Sequence, residues 1–455
     1  MSQTTSRQPA LLSIVLAAGK GTRMRSKRAK VLHEVGGRSM LGHVCAVAQT
    51  IGSDRIAVVV GPDMDDVRAE AMAHVPGAEV FVQSQQNGTA DAVLAAREAI
   101  QSHDGDVLVL YADTPLLTAA TLRALRGVLD EGAAVGVLGF TADDPTGYGR
   151  LVMEGGRLLA IREDKDASAA ERTICLCNSG VVAFRHPDLA QLLGGIGNDN
   201  ANGEYYLTDA VTLARAEGGE ARAVVCDEEE VLGVNTRVQL AEAEALFQRR
   251  AREKAMLAGA TMIAPETVWL SYDTQLGVDV VIEPNVFFGP GAVVEDGAEI
   301  KANCHIEQAR VGAGARIGPF ARLRPGADLG PDVHIGNFVE VKNVVMEQGA
   351  RANHLAYLGD GRVGAKANIG AGTIFCNYDG FFKHRTEIGK GAFVGSNSAL
   401  VAPVKIGDGA YVGSGSVITK DVEADALALE RSEQRQRSGW AAKFREMMAR
   451  RKAKA

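Results

Sequence analysis

Aliphatic residues recur at every sixth position near the C-terminal end of the chain: Ile388, Val394, Leu400, Ile406, Val412 and Ile418. With occasional slips the period runs back through Ile369, Val363, Ile335, Leu329, Leu323 and Ile317. It continues through Ile306, Ile300, Val294, Phe288 and Ile282. An α-helix of 3.6 residues per turn cannot keep every sixth residue on one face. Three short strands per coil, turning a corner every six residues, can. A β-sandwich would match the spacing only by chance. Gly389, Gly395, Gly407 and Gly413 follow four of these aliphatics and are read as easing the turn. At ~4.8 Å per coil, about eight coils give a prism roughly 40 Å long. The expectation is an all-β parallel β-helix.

The chain has 455 residues, too many for one ordinary core, so at least one further domain is expected. Upstream of the repeats, residues 11 to about 235 alternate strand and helix patterns. Leu12 to Leu16, Ile56 to Val60 and Val107 to Tyr111 are aliphatic runs suited to strands buried on both faces of a parallel sheet. Asp91 to Ser102 between them is helical in pattern. This is the rhythm of a doubly wound, Rossmann-like α/β domain. Thr236 to Leu257 contains no Gly or Pro and is rich in helix formers, and Gly259 is placed to stop it. The expected organisation is an α/β domain over 1–235, a helical linker over 236–259 and the β-helix with a tail over 260–455.

A formal net charge of −7 argues against nucleic acid as a partner. The most basic stretch, Arg445 to Lys454, reads as a solvated tail. No stretch approaches a membrane span. The apolar run Leu11 to Ala18 leads straight into Gly19-Lys20-Gly21, as a buried strand entering a loop does and a secretory leader does not. Cys45, Cys175, Cys177, Cys226, Cys304 and Cys376 contain no CxxC pair, so reduced thiols and a cytoplasmic location are expected. Cys304 and Cys376 are read as packing residues.

The first strand ends in Leu16-Ala17-Ala18-Gly19-Lys20-Gly21-Thr22-Arg23-Met24. Small residues let backbone N–H groups approach phosphates, and Lys20 and Arg23 add charge. The spacing of a Walker A loop is absent. With Lys30-Val31-Leu32, this stretch resembles the signature of sugar-1-phosphate nucleotidyltransferases. Further matches follow in family order: Gln83 with Gly88-Thr89, Tyr111-Ala112-Asp113, Asp144 to Arg150, Glu163, Asn178, Gly203 to Tyr206 and Gly233-Val234-Asn235. Together with the repeats, nearly the whole chain resembles the bifunctional bacterial family that joins an N-acetylglucosamine-1-phosphate uridylyltransferase to a glucosamine-1-phosphate acetyltransferase.

The resemblance implies roles residue by residue. Asp113 and Asn235 would hold Mg2+, whose preference is for oxygen ligands. Leu16, Ala17, Ala18, Gly19 and Thr89 would contact UTP or UDP-N-acetylglucosamine, and Gln83 and Gly88 would read the uracil. Arg23 and Lys30 would neutralise the triphosphate and help pyrophosphate leave. Gly149, Glu163 and Asn178 would fix N-acetylglucosamine. In the repeats, His354 would be the general base for acetyl transfer, a role suited to a group titrating near neutral pH. Arg324, Lys342, Tyr357 and Asn368, with the Asn377-Tyr378 pair, would bind glucosamine-1-phosphate; that pair, which opens a loop inserted before Ile388, would also contact acetyl-CoA. Ala371, Ser396, Ser414 and Arg431 would line the acetyl-CoA groove, and Glu340 would orient His354 or the amine. The family's left-handed coil and homotrimer are expected too, with no covalent acyl-enzyme.

Several positions depart from the family pattern. Ala29 stands where Pro often precedes the lysine, and Ala112 replaces the Gly of Tyr-Gly-Asp. Ala90 and Asp91 replace a Gly-His pair, which brings a carboxylate to the nucleotide pocket. Ser179 replaces Thr, Ser414 stands where Ala is common, and Asn353 where Gly often lies. Two alternatives compete with a two-site enzyme. One is a single-activity nucleotidyltransferase with a structural or regulatory β-helix, which would not need His354, Lys342 and the Asn377-Tyr378 loop together. The other is a noncatalytic trimeric scaffold for nucleotide sugars, which would not need Asp113, Asn235 and Arg23.

Overall fold

The computed structural model describes residues 9–187 and 189–453. The chain divides into two compact units, Met1–Ala251 and Arg252–Ala455. The first is built on one sheet whose strands run in the order Ala221–Cys226, Val135–Thr141, Leu176–Phe184, Gly105–Tyr111, Ala10–Leu16, Arg55–Val60 and Glu79–Val82. All neighbours pair parallel except Leu176–Phe184, which is antiparallel on both sides. A hairpin, Arg150–Glu154 and Arg157–Arg162, joins it through Cys177 opposite Arg150.

The first strand shows why the sheet is covered on both faces. Leu11 and Val15 pack into one apolar cluster, and Leu12 and Ile14 into the other. Alternate side chains point to opposite faces, so a strand without polar alternation needs two cores. The strands that follow it lie on opposite sides, Arg55–Val60 on one and Gly105–Tyr111 on the other. The strand order therefore switches at Leu16, and its carboxyl end opens the crevice where doubly wound folds bind ligands.

The helix expected over Asp91 to Ser102 is two shorter ones, Thr89–Leu94 and Arg97–Gln101. The small Ala95 and Ala96 sit between them, with Ala96 fully buried. A helix spans Arg237–Leu257, and Gly259, at φ 109, turns the chain out of it.

The second unit is a stack of two- to seven-residue parallel strands. One face runs through Ile282, Ile300, Ile317, Ile335, Ala352, Ile369, Val394 and Val412, each hydrogen-bonded beside the next. All seventeen aliphatic and aromatic residues that define the period are buried at 5% exposure or less. This face has ten rungs, not about eight. Thr261–Met262 and Leu427–Ala428 add rungs whose residues do not carry the hexapeptide pattern.

The small residue after each aliphatic has a different cause from the one expected. Gly389, Gly395, Gly407 and Gly413 are not in the left-handed region; those that are lie two residues further on, at Gly391, Asn397, Gly409 and Gly415. A Cβ on Gly395 would come within 2.4 Å of the Ser414 nitrogen, and on Gly389 within 2.5 Å of the Asp408 nitrogen. At Gly389, Gly395 and Gly407 the next coil's backbone passes too close for a side chain, and at Gly413 the Leu429 side chain fills the space. The turn itself belongs to the later residue.

The basic C-terminal stretch forms a helix, Trp440–Lys452, exposed along its length. Lys454 lies outside the described residues.

Candidate active sites

The crevice at the end of the first strand is lined by Leu16, Ala17, Ala18, Gly19, Lys30, Gln83, Gly88, Thr89, Tyr111 and Asp113. The expected nucleotide-binding residues from the loop, the Gln83 segment and the Asp113 strand end thus converge on one pocket. Two glycines carry its shape. A Cβ on Gly88, at φ 125, would strike the Tyr205 backbone at 2.5 Å, and one on Gly21 would strike Cβ of Lys30 at 2.4 Å. Gly19 is different, since a Cβ there would meet nothing within 4 Å. Its bareness leaves room in the pocket itself.

At the mouth of this pocket a cationic group is already held. Lys30 Nζ donates to Asp113 Oδ2 at 2.5 Å and to Asn235 Oδ1 at 3.1 Å. Arg23 Nη2 donates to the same Asn235 oxygen at 3.0 Å. The two segments are tied by Val234 N–H donating to the Asp113 carbonyl. Asp113 and Asn235 therefore form a two-oxygen cradle that already accepts positive charge, which fits a hard divalent cation. No group of three or more His, Cys, Asp or Glu able to hold a metal occurs among the described residues. A cation in the cradle would complete its shell with phosphate oxygens and water.

Gly149, Glu163 and Asn178 form a second cluster in the same unit. Asn178 N–H donates to the Gly149 carbonyl at 2.7 Å, and a Cβ on Gly149 would lie 3.4 Å from Glu163 Oε2. Asn178 begins a register break in its strand, a common device for re-aiming a side chain. Burial pushes the Glu163 carboxyl above its ordinary range, against the Thr208 hydroxyl, which hydrogen-bonds it at 3.2 Å. Thr89 links the two clusters by accepting from Leu207 N–H.

In the second unit, His354 ends the strand Arg351–His354 and is exposed. Its coil neighbour in register is Asn337, and Nδ1 lies 2.9 Å from Asn337 Oδ1. With Nδ1–H donating to that amide oxygen, Nε2 carries the lone pair. The side chain hydrogen-bonded to His354 is that of Asn337, whereas Glu340 pairs with Arg324. Glu340 accepts from Arg324 Nη1 at 2.7 Å, because the register that pairs Arg322 with Glu340 brings the two side chains together.

Lys342 and Asn377 converge on Asp360. Asp360 accepts from Asn377 Nδ2 at 2.5 Å and Asn343 Nδ2 at 2.7 Å, with Lys342 Nζ 3.8 Å away. Burial raises the Asp360 carboxyl, but the two amide hydrogen bonds and the lysine outweigh it and hold it below the ordinary range. Tyr357 stands directly above Glu340 in register. A Cβ on Gly359 would clash with both Tyr357 Oη and Asn377 Nδ2, so this glycine makes room for both. Tyr378 is exposed, with Lys383 Nζ over its ring at 4.3 Å.

Asn368 sits above Arg351 on the His354 face. Ala371, Ser396, Ser414 and Arg431 run along successive coils. Asn397 N–H donates to the Ala371 carbonyl, Gly415 N–H to that of Ser396, and Arg431 Nη1 to that of Ser414 at 2.8 Å. Sequence reasoning assigned no role to Asn337 or Asp360. Their signal was the spacing of 17 residues that stacks each on its partner, legible only once the coil length is known.

Comparison with known proteins adds a second line of support. Residues 13–174 match the MobA-like NTP transferase domain. Residues 385–420 match the bacterial transferase hexapeptide (six repeats), and residues 279–314 the hexapeptide repeat of succinyl-transferase. The chain is 59% identical over 435 residues to the bifunctional protein GlmU of Azorhizobium caulinodans, covering 96% of this chain and 97% of that one. The GlmU protein of Xanthobacter autotrophicus is 60% identical with the same coverage. That of Rhodopseudomonas palustris strain TIE-1 is 58% identical over 445 residues, 98% of each chain. At this identity over essentially the whole length, the chain belongs to the GlmU family of bifunctional proteins.

Proposed function

We propose that the two reactions of this family are divided between the two units. The chain acetylates glucosamine-1-phosphate with acetyl-CoA and uridylylates N-acetylglucosamine-1-phosphate with UTP, giving UDP-N-acetylglucosamine and pyrophosphate. What supports the division is that the Lys30–Asp113–Asn235 cluster belongs to the first unit and the His354–Asn337 pair to the second.

In the first unit, Leu16 to Gly19 and Thr89 bind the nucleotide, and Gln83 and Gly88 face the base. Gly149, Glu163 and Asn178 hold the sugar. A phosphate oxygen of the sugar phosphate attacks the α-phosphorus of UTP; that P–O bond forms as the bond to pyrophosphate breaks. Arg23 and Lys30 hold the charge that leaves with pyrophosphate. Positioning and charge neutralisation carry such a transfer, with no strong protein base. Mg2+ held by Asp113 and Asn235 would withdraw charge from the phosphates.

In the second unit, Arg324, Lys342, Tyr357 and Asn368 hold glucosamine-1-phosphate, the two cations on its phosphate. Nε2 of His354 takes a proton from the amine as the nitrogen attacks the thioester carbonyl. The amide bond forms, the carbon–sulfur bond breaks, and coenzyme A leaves as the thiol. Ala371, Asn377, Tyr378, Ser396, Ser414 and Arg431 line the acetyl-CoA path. The working form is a homotrimer in the cytoplasm, where UTP and acetyl-CoA are made. Phe320, Phe338 and Leu355, all exposed near His354, supply an apolar face for a second copy.

The test is a coupled assay with glucosamine-1-phosphate, acetyl-CoA, UTP and Mg2+, following free thiol and pyrophosphate separately. Release of both is expected, with pyrophosphate dependent on acetyl-CoA. Pyrophosphate only when N-acetylglucosamine-1-phosphate is supplied, with no thiol released, would leave the β-helix a structural role.

A further inference from the structure

Asp91 departs from the family pattern at the nucleotide pocket, and the structure gives it a partner. Gln83, 5% exposed, begins the loop after the strand Glu79–Val82. Its Nε2 donates to Asp91 Oδ2 at 2.8 Å and to the Gly88 carbonyl at 3.2 Å. A side-chain amide nitrogen has two protons, and both are used. A carboxylate and a carbonyl both accept, so neither can face Oε1 of the amide favourably. The orientation of Gln83 is therefore fixed by the chemistry of its neighbours, not merely by their positions. Among the described residues no group donates to its Oε1, and Gly88 N–H has no acceptor. Both residues line the pocket.

We infer that Asp91 is a positioning residue that sets base selectivity by locking the Gln83 amide with its oxygen toward the base. This rests on the reading that Gln83 faces the base. The pocket then offers an acceptor, Gln83 Oε1, beside a donor, Gly88 N–H. Uracil presents the complement along one edge, N3–H beside the O4 carbonyl. Cytosine in the same register presents the reverse, with N3 an acceptor and N4 an amino donor. With the amide locked, Gln83 opposes cytosine N3 lone pair to lone pair. Without Asp91, only the longer bond to the Gly88 carbonyl at 3.2 Å holds the amide, the turned-over form that offers its NH2 to cytosine N3 becomes more populated, and selectivity falls. Asp91 also lies 3.5 Å from Asn87 N–H at the start of the helix Thr89–Leu94. A purely structural role there would weaken all nucleotides alike.

The experiment measures kcat/KM for UTP and for CTP by pyrophosphate release from the full-length chain with N-acetylglucosamine-1-phosphate. It compares wild type with Asp91→Ala, Asp91→Asn and Gln83→Ala, with acetyl transfer and thermal midpoint as folding controls. Asp91→Ala is expected to lower the UTP-over-CTP ratio about tenfold, the scale of one hydrogen bond, with acetyl transfer unchanged. Asp91→Asn, which can still accept through its carbonyl, should fall between. Equal loss for both nucleotides in Asp91→Ala, with the ratio falling in Gln83→Ala, would overturn the lock alone. An unchanged ratio in Gln83→Ala would overturn the placement of Gln83 at the base, and the lock with it.

Discussion

The most informative single residue is Lys30. Its ammonium occupies the space between Asp113 Oδ2 and Asn235 Oδ1, the two oxygens proposed for Mg2+. Asn235 Oδ1 also accepts from Arg23, but Asp113 Oδ2 is held by Lys30, so a divalent cation must displace the ammonium from that carboxylate oxygen. A triphosphate gives it somewhere to go. The prediction is that Mn2+, used as a spectroscopic probe, binds the nucleotide-free protein weakly and binds Lys30→Met about tenfold more tightly, since the competing charge is gone. Titration by electron paramagnetic resonance reads this directly. Uridylyl transfer by Lys30→Met should fall, because the same ammonium is needed on the phosphates. Weaker Mn2+ binding by the variant would show that Lys30 helps to shape the metal site. At this scale the sequence was legible where a motif is contiguous, as in Leu16 to Met24. It was not where a partner comes from another coil. His354 was read from its neighbourhood, yet its partner Asn337 lies 17 residues away, and Glu340, read as a candidate, turned to Arg324.

Among the elements, the corner next to His354 stands out. Successive coils turn through the left-handed region at Asn285, Asn303, Phe320, Phe338, Leu355, Gly372, Asn397 and Gly415. Asn and Gly adopt that conformation cheaply; a bulky residue does so at a cost of about 1 kcal/mol or more. The three bulky residues fall together, and all are exposed, with Phe320 and Phe338 stacked at 5.2 Å. Neither the fold nor the protomer's core accounts for them, whereas burial against a second copy would. Phe338→Asn should therefore leave the coil intact, shift sedimentation toward smaller species, and reduce acetyl transfer while sparing uridylyl transfer. Unchanged sedimentation and acetyl transfer would remove this corner from the interface. The period of six was plain in the sequence because the inward residue must be apolar on every coil. The cause of the small residue after it was not, because coil-to-coil distance has no trace in a single repeat.

A helix in the first unit makes a pH prediction. His43, within Met40–Thr50, donates Nε2–H to the Val35 carbonyl at 2.7 Å and packs edge-on to Phe247. Burial lowers its pKa to about 4, outweighing the carbonyl. The unfolded chain takes up a proton there near pH 6.5 and the folded chain does not. Stability contributed by the neutral ring is thus full above pH 6.5, falls as pH drops toward 4, and changes no further below. The loss is at most about 3 kcal/mol. His43→Gln should flatten the dependence of the thermal midpoint on pH across that window. A slope identical to wild type would place the acid sensitivity elsewhere.

For the whole molecule, the question is whether the two chemistries depend on sharing one chain. Each cluster is complete within its own unit as far as the chain's residues go: Lys30, Asp113 and Asn235 in one, Asn337 and His354 in the other. The product of the second unit, N-acetylglucosamine-1-phosphate, is small, stable and charged, and needs no protection from water. His354→Ala should lose acetyl transfer and keep uridylyl transfer, and Asp113→Ala the reverse. If the intermediate passes through solution, mixing the two purified variants restores UDP-N-acetylglucosamine synthesis from glucosamine-1-phosphate. A lag should then appear that shortens as both proteins are raised. A wild-type time course without a lag, beside a mixture that stays inactive while each single activity persists, would mean that the intermediate is handed over within one assembly. The two variants are mixed without subunit exchange, so that the intact sites sit in separate assemblies and only passage through solution can join them.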